Sequence, residues 1–304
     1  MLTTIQGLID PNTSDGRVIF FLPWQGNTIA GTTDAPTTIT PQPLPTEEEI
    51  TWILDEVRRY LSPDITVRRE DVLAAWSGIR PLVKDPDAKN TESLVRNHLI
   101  NKSVSGLITI AGGKWTTYRQ MAEEAVDEAI NAFSLRPVPR AVQIAGTQPV
   151  TGACNTENIL LVGAQGFSKT LFINLIQHFQ LPADVAKHLA YNYGDRAWTV
   201  AQQARNERIA ADQPFIESEI LYAVRHEYAQ TAADVLARRT RMAFLNVEAT
   251  VTALPKVIDV MASELKWSAD RKNQEWKDTM KFLESMGLKK ERTLLTRAQI
   301  EKSS

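Results

Sequence analysis

The sequence predicts an α/β segment followed by an all-α domain. Between residues 17 and 134, β-rich runs alternate with turns and two amphipathic helices. Beyond residue 168 the apolar residues recur almost everywhere with helical period, which predicts helices over 171–179, 198–211 and 217–227 among others. Two prolines within residues 136–139 end the last helix of the first segment. We therefore predict a first domain at 1–134, then a linker and a helical domain at 135–304, which suits a chain of 304 residues.

Composition excludes several classes of protein. The 34 Lys and Arg residues nearly balance the 36 Asp and Glu residues, so the net charge of −2 argues against a general nucleic-acid binder. Cys154 is the single cysteine, which excludes an internal disulfide and a multi-thiolate metal site. The four histidines are scattered along the sequence, which argues against a metal centre. No apolar run approaches the roughly 18 residues of a membrane span.

The first elements of the α/β segment are a hairpin and a helix. Residues 17–24 and 28–34 are β-rich and flank a Gln-Gly-Asn turn. A proline-rich stretch at 36–45 interrupts regular structure. Thr46 with Glu49 then forms a capping-box pattern at the start of an amphipathic helix. A second hairpin is predicted from residues 93–100 and 106–111.

A strand–glycine–helix junction at residues 107–117 is the strongest local signal. Residues 107–111 predict a buried strand, Gly112, Gly113 and Lys114 a tight turn, and Thr116 or Thr117 the cap of a helix. Paired glycines allow a ligand to approach the backbone closely, and the first amides of a helix favour negative charge. The alternative is a tight turn with a solvated lysine, and spacing alone does not decide between the two.

Two further motifs carry weaker signals. Residues 77–81, Ser-Gly-Ile-Arg-Pro, place Arg80 beside a glycine, which suits binding of phosphate or carboxylate, although a surface turn is favoured when the motif is considered alone. Residues 163–170 follow a predicted short strand at 159–162 and end in Lys-Thr like a phosphate-binding loop. Ser168 stands where that loop needs its second glycine, so we set nucleotide binding aside.

The order of these motifs resembles a known family. Residues 112–122, Gly-Gly-Lys-Trp-Thr-Thr-Tyr-Arg-Gln-Met-Ala, resemble the signature of FAD-dependent glycerol-3-phosphate dehydrogenases, particularly the mitochondrial type. They are accompanied by Leu-Pro-Trp at 22–24, Gly-Thr-Thr-Asp at 31–34, the motif at 77–81 and Tyr-Gly-Asp-Arg-Ala at 193–197. The chain contains no G-x-G-x-x-G, which dinucleotide-binding units use to hold pyrophosphate.

The resemblance implies oxidation of sn-glycerol 3-phosphate to dihydroxyacetone phosphate, with hydride transfer to FAD and onward electron transfer to a membrane quinone. It implies peripheral membrane association in the mitochondrion and a fold with an antiparallel substrate sheet. It also assigns catalytic and substrate-binding roles to Arg80 and Lys114, and a substrate-binding role to Arg96. The residues expected against the flavin are Gly78, Ile79, Gly112, Gly113 and Thr116.

The resemblance does not extend to the N-terminal part of the family's members. Family members carry an N-terminal dinucleotide-binding unit that these 304 residues lack, so we expect an incomplete flavin domain and an inactive isolated chain. Two alternatives stay open at this point. One is a non-catalytic relative whose helical domain serves association, for example as a homodimer, and the other is a glycerol-3-phosphate oxidase.

Overall fold

The computed structural model describes residues 6–80, 82–84, 94–95, 98–136, 154, 156–203 and 205–303. The chain divides into two compact units, one formed by Met1–Ile79 with Val162–Ser304 and one formed by Arg80–Leu161. The predicted boundary between residues 134 and 135 falls inside the second unit and stays a prediction.

An antiparallel three-stranded sheet opens the first unit. Its strands are β1 (Leu8–Asp10), β2 (Ile19–Trp24) and β3 (Asn27–Gly31), in that spatial order. Gln25 and Gly26 join β2 to β3 with φ values of 48° and 82°, the left-handed pair that a two-residue hairpin turn requires. The predicted hairpin is therefore confirmed, although its second strand ends three residues early.

The predicted cap at Thr46 is confirmed, but only one half of the capping box forms. Thr46 precedes α1 (Glu47–Tyr60), and its hydroxyl oxygen accepts the Glu49 amide at 3.2 Å. Ile50 and Leu54 are buried on the inner face of this helix. The Glu49 carboxylate accepts from the hydroxyls of Thr33 at 2.6 Å and Thr46 at 3.2 Å, so it ties the end of the hairpin to the start of the helix.

The helical part of the first unit has two apolar clusters, and the larger one is built around a long central helix. Its helices are α3 (Leu171–Phe179), α4 (Ala183–Tyr193), α5 (Ala197–Ala201), α6 (Glu217–Glu227), α7 (Met242–Leu245), α8 (Val247–Leu265), α9 (Ala269–Glu284), α10 (Lys290–Thr293) and α11 (Arg297–Ser303), with a π-helical turn at Asp234–Arg239. Leu254 and Ile258 of α8 are fully buried in the larger of two apolar clusters. The periodicity of residues 171–179 and 217–227 predicts α3 and α6 to the residue.

Two expectations for the second half are wrong. A helix was predicted over 198–211, yet α5 ends at Ala201, and the Ile209 amide donates to the Phe215 carbonyl at 3.0 Å in a tight reversal of the chain. The reversal buries Ile209 and Phe215, which accounts for apolar residues that resembled a helix face. Residues 159–162 form no strand, and their four apolar side chains are exposed.

The second unit is small. Its elements are β4 (Val83–Lys84), β5 (Leu94–Val95), β6 (His98–Lys102), β7 (Ile108–Gly112) and α2 (Tyr118–Phe133). β6 and β7 pair antiparallel, which agrees with a second hairpin, but the predicted burial of the second strand is wrong because Leu107 is 66% exposed and Ile110 40% exposed. One helix can cover only one face of a hairpin, so apolar side chains on the other face stay at the surface of this unit.

Truncation of a central side chain tests the packing of α8. We expect Leu254→Ala to lower the free energy of unfolding by about 2–5 kcal/mol, because it leaves a cavity in a fully buried site. Leu294→Ala is the matched control, since Leu294 is 79% exposed, and its effect should stay within about 0.5 kcal/mol. Urea unfolding followed by circular dichroism measures both, and equal losses would contradict the assignment of α8 as the core.

Candidate functional site

Gly112 and Gly113 form a left-handed turn between β7 and the helix that follows. Gly112 ends β7 opposite His98, and the two glycines have φ values of 74° and 80°. Residues other than glycine rarely adopt a left-handed backbone conformation twice in succession, so this backbone path requires the Gly-Gly pair. The turn brings Lys114 to the start of the helix.

Packing gives Gly113 a second reason to lack a side chain. A Cβ atom at this position would lie 2.7 Å from the Met121 sulfur and 3.0 Å from the Cβ of His98. The first distance is shorter than real Cβ contacts, although the sulfur lies toward the end of a flexible side chain, and the second is tighter than most. The turn is therefore pressed against α2 and β6, and Gly113 has a structural role whether or not a ligand approaches it.

The residues after the turn present donors to the outside. Trp115–Thr117 forms a 3₁₀ turn in which the Lys114 carbonyl accepts both the amide and the hydroxyl of Thr117, each at 3.0 Å. Thr117, rather than Thr116, precedes α2, and its side chain is turned back to this carbonyl. The Tyr118 amide donates to the Trp115 carbonyl, so the 3₁₀ turn engages the amides of Thr117 and Tyr118, and Lys114 lies exposed at the positive end of the helix.

Carboxylates on the second turn of α2 are engaged by donors other than Lys114. Glu124 accepts from Gln120 and contacts His98 at 2.6 Å, and these hydrogen bonds lower the pKa of its carboxyl. Hydrogen bonds from Thr156 lower the pKa of Glu123. Within the described part of the chain, the Lys114 ammonium has no ion-pair partner, so its charge is available to a ligand.

The second motif lies on an extended segment. Residues 72–80 have no sheet partner among the described residues, and Ser77, Gly78, Ile79 and Arg80 are all exposed. A Cβ atom on Gly78 would meet nothing within 4 Å. Gly78 and Ile79 belong to the first unit, whereas Arg80 opens the second. Arg96 lies outside the described residues.

The predicted residues thus fall into two groups. The structure brings Gly112, Gly113, Lys114 and Thr116 together at one helix start, and it places Gly78 and Ile79 on the extended segment. The first group consists of backbone amides and one ammonium group, which suits an electron-rich edge of a planar ring such as the pyrimidine edge of a flavin. No group of three or more His, Cys, Asp or Glu side chains among the described residues could hold a metal ion.

The loop that resembles a nucleotide-binding loop has a structural explanation. Its Gly166 amide donates to the Asp195 carboxylate at 3.0 Å, and the Asp195 amide donates to the Gly163 carbonyl at 2.8 Å. A Cβ atom on Gly194 would lie 2.0 Å from that carbonyl oxygen. The motif at 193–197 therefore holds the loop before α3, and the amides that would bind phosphate serve this packing.

A buried polar network in the helical part was missed in the sequence. His188 Nε2 lies 2.7 Å from Glu219 Oε1, and the Tyr193 hydroxyl donates to the same oxygen at 2.9 Å. The Ile216 amide donates to the other carboxylate oxygen at 2.8 Å. Burial, followed by the charge of Glu219, raises the pKa of Tyr193 well above its ordinary value. The only available signal was the presence of polar residues on the apolar faces of α4 and α6.

Comparison with known families places the chain among flavin-dependent oxidoreductases. Residues 2–119 match the family described as FAD dependent oxidoreductase, and residues 154–272 match the C-terminal domain of alpha-glycerophosphate oxidase. The glycine turn thus lies in the flavin-dependent segment, and α3 to α8 lie in the helical one.

Curated relatives define the family more closely. The mitochondrial glycerol-3-phosphate dehydrogenase of Mesocricetus auratus is 51% identical over 91% of this chain, and that of Homo sapiens is 49% identical over 95%. The chain belongs to the FAD-dependent glycerol-3-phosphate dehydrogenase family. It spans 37% of the hamster protein and 39% of the human one, so it corresponds to about two fifths of the length of these relatives.

A solved structure supports the fold. The glycerol-3-phosphate dehydrogenase from Bacillus halodurans, crystallised in complex with FAD, superimposes with a TM-score of 0.71 at 27% identity. The match covers 93% of this chain and 54% of that one. An antiparallel sheet followed by a helical domain, as the sequence predicts, is therefore the fold of this part of the family.

The glycine turn can be tested without any ligand. Gly113→Ala should destabilise the second unit more than Gly106→Ala, because both residues have a left-handed φ but a Cβ on Gly106 meets only the Phe133 ring at 3.5 Å. Crowding against the flexible end of Met121 and against the His98 Cβ should add about 1 kcal/mol. Hydrogen exchange of the α2 amides measures this difference. Met121→Ala should partly restore protection in the Gly113→Ala background, and equal protection in the two glycine variants would contradict the packing.

Proposed function

We propose that this chain forms the substrate-facing segment and the helical domain of an enzyme that oxidises sn-glycerol 3-phosphate to dihydroxyacetone phosphate. The observation that carries the proposal is the identity of about one residue in two to mitochondrial glycerol-3-phosphate dehydrogenases over more than 90% of the chain. The cluster of amides and ammonium at the glycine turn supports it, since this is the donor set that a flavin and an oxidisable alcohol require.

Arg80 binds the substrate in this proposal. Its guanidinium forms forked hydrogen bonds to the phosphate oxygens, for which its planar donor geometry is suited. Arg96 supplies a second phosphate contact. Together the two cations select a phosphorylated substrate over free glycerol, because the phosphate then adds charge-assisted hydrogen bonds that glycerol cannot form.

Lys114 acts at the reacting carbon. When bound, FAD would accept the hydride that leaves C2, while the C2 hydroxyl releases its proton to solvent and the C2–O single bond becomes the carbonyl of the product. The Lys114 ammonium stabilises the negative charge that develops on the C2 oxygen during this step. Gly112, Gly113, Thr116, Gly78 and Ile79 are the residues that would hold the cofactor.

The names of the relatives support a proposal for the electron acceptor and the location. We infer a membrane quinone as the electron acceptor, in the mitochondrion, because the relatives are named as mitochondrial dehydrogenases. Among the described residues, no helix is both long and apolar enough to cross a bilayer. We also propose peripheral membrane association and assembly as a homodimer.

A glycerol-3-phosphate oxidase is the second candidate. The match of residues 154–272 to the C-terminal domain of alpha-glycerophosphate oxidase favours it specifically. The two activities differ in the electron acceptor, which is oxygen for the oxidase. Formation of hydrogen peroxide in place of reduction of a soluble quinone analogue would support the oxidase.

Substitution of the two cations tests their roles in a catalytically active protein that contains these 304 residues. Arg80→Ala should raise the KM for glycerol 3-phosphate roughly 10- to 100-fold through lost charge-assisted hydrogen bonds. Lys114→Met should lower kcat roughly 10²- to 10³-fold. Steady-state assays with a soluble quinone analogue measure both parameters.

Exposed cations of the same unit provide matched controls for these variants. Arg136→Ala and Lys102→Met remove the same charges from exposed positions outside the glycine turn and the Arg80 motif, and they should leave both parameters within about twofold. An Arg80→Ala enzyme with unchanged KM and kcat would contradict the assignment of Arg80.

Flavin binding by the isolated 304-residue chain is a separate test. We expect little FAD to bind, because the helix start at the glycine turn offers donors to the ring while no G-x-G-x-x-G is present to hold the pyrophosphate. Equilibrium dialysis with FAD measures the affinity. Tight binding would contradict this expectation, and it would also argue against the alternative of a non-catalytic association module.

A further inference from the structure

Residues 72–79, which lead to Arg80, are held by the helical part of the first unit. Among the described residues, the segment forms no sheet ladder. Instead, the Leu73 carbonyl accepts the Val247 amide at 2.9 Å, and the Ala75 amide donates to the Met286 carbonyl at 3.0 Å. Val247 begins α8 and Met286 follows α9, so the two bonds attach the segment to two helix ends.

Gly287 makes this attachment possible. A Cβ atom at this position would lie 2.9 Å from the Ala75 nitrogen and 3.2 Å from both the Ala75 oxygen and the Ala75 Cβ. These atoms belong to the backbone and to a short side chain, so they cannot move aside as a flexible side chain would. Any residue larger than glycine at 287 must displace the segment at Ala75.

An aromatic contact fixes the next residue. The Trp76 ring meets the Phe244 ring edge-on, with 5.1 Å between the centroids and an interplanar angle of 83°. Phe244 lies in α7 and packs against the buried apolar cluster that includes Val247 and Met286. The backbone bonds and the aromatic pair therefore anchor the segment to one rigid core.

We propose that Gly287 and Trp76 are positioning residues for Arg80. Ser77, Gly78 and Ile79 separate the anchored Trp76 from Arg80, so the location of the anchor sets where the guanidinium can reach the substrate phosphate. The helical domain then contributes to substrate binding without touching the substrate. This inference depends on the proposed role of Arg80.

The test compares two glycines of the first unit in a catalytically active protein that contains these 304 residues. Gly287 and Gly16 have φ values of 88° and 81°, but a Cβ on Gly16 meets nothing within 4 Å. Both alanine variants therefore carry similar backbone strain, and only Gly287→Ala displaces Ala75. We expect kcat/KM for glycerol 3-phosphate to fall roughly 10- to 100-fold in Gly287→Ala through a higher KM, and to stay unchanged in Gly16→Ala.

A double-mutant cycle separates positioning from general damage. If Gly287 acts through Arg80, Gly287→Ala should add less than about threefold to the loss already caused by Arg80→Ala. An additive loss in the double variant would overturn the inference. No effect of Arg80→Ala alone would instead refute the proposed function, and a normal KM in Gly287→Ala beside an impaired Arg80→Ala would refute only the positioning role.

A second variant covers failure of Gly287→Ala to fold. Trp76→Leu removes the ring that meets Phe244 from a side chain that is 40% exposed, so little of the core is lost. Like Gly287→Ala, it should raise the KM, and it should add little to the loss already caused by Arg80→Ala. An unchanged KM in a folded, flavin-containing Trp76→Leu enzyme would overturn the role of Trp76.

Discussion

Burial of α8 is the constraint on which the rest of the larger unit depends. Val251, Leu254, Ile258 and Met261 have no exposed surface, and α6, α7, α9 and α11 pack around this helix. Because most of this helix is buried and only a narrow polar stripe faces solvent, its ends become fixed points to which irregular segments can attach. The Val247 amide at the start of α8 donates to the Leu73 carbonyl. This bond attaches the segment before the exposed motif at 77–81 to the core.

Periodicity and turn chemistry predicted much of this fold. The helices at 171–179 and 217–227, the Thr46 cap and the two-residue turn at Gln25 each follow from local residues whose structure is decided by their near neighbours. The prediction of a helix over 198–211 is wrong because the chain reverses before Phe215 and thereby buries Ile209 and Phe215. In the sequence, the apolar spacing that such a reversal requires looks the same as a helix face.

The candidate site was predicted in part. The Gly-Gly-Lys turn follows from its residues, because few sequences other than glycine pairs can take this backbone path. The roles of Arg80 and Lys114 come from resemblance and stay predictions, since a sequence does not specify what a side chain meets. The link between Gly287 and Ala75 joins residues about 210 positions apart, and no local pattern could have indicated it.

The network of His188, Tyr193 and Glu219 has a consequence for how such sequences can diverge. Removal of one member of a buried hydrogen-bonded pair leaves a charge or polar group without compensation, whereas joint replacement by apolar residues is often tolerated. Single substitutions at these positions should therefore destabilise the fold, so the sequence must change at two or more of them together. Relatives should carry either the intact set or a wholly apolar replacement, with few intermediates between them.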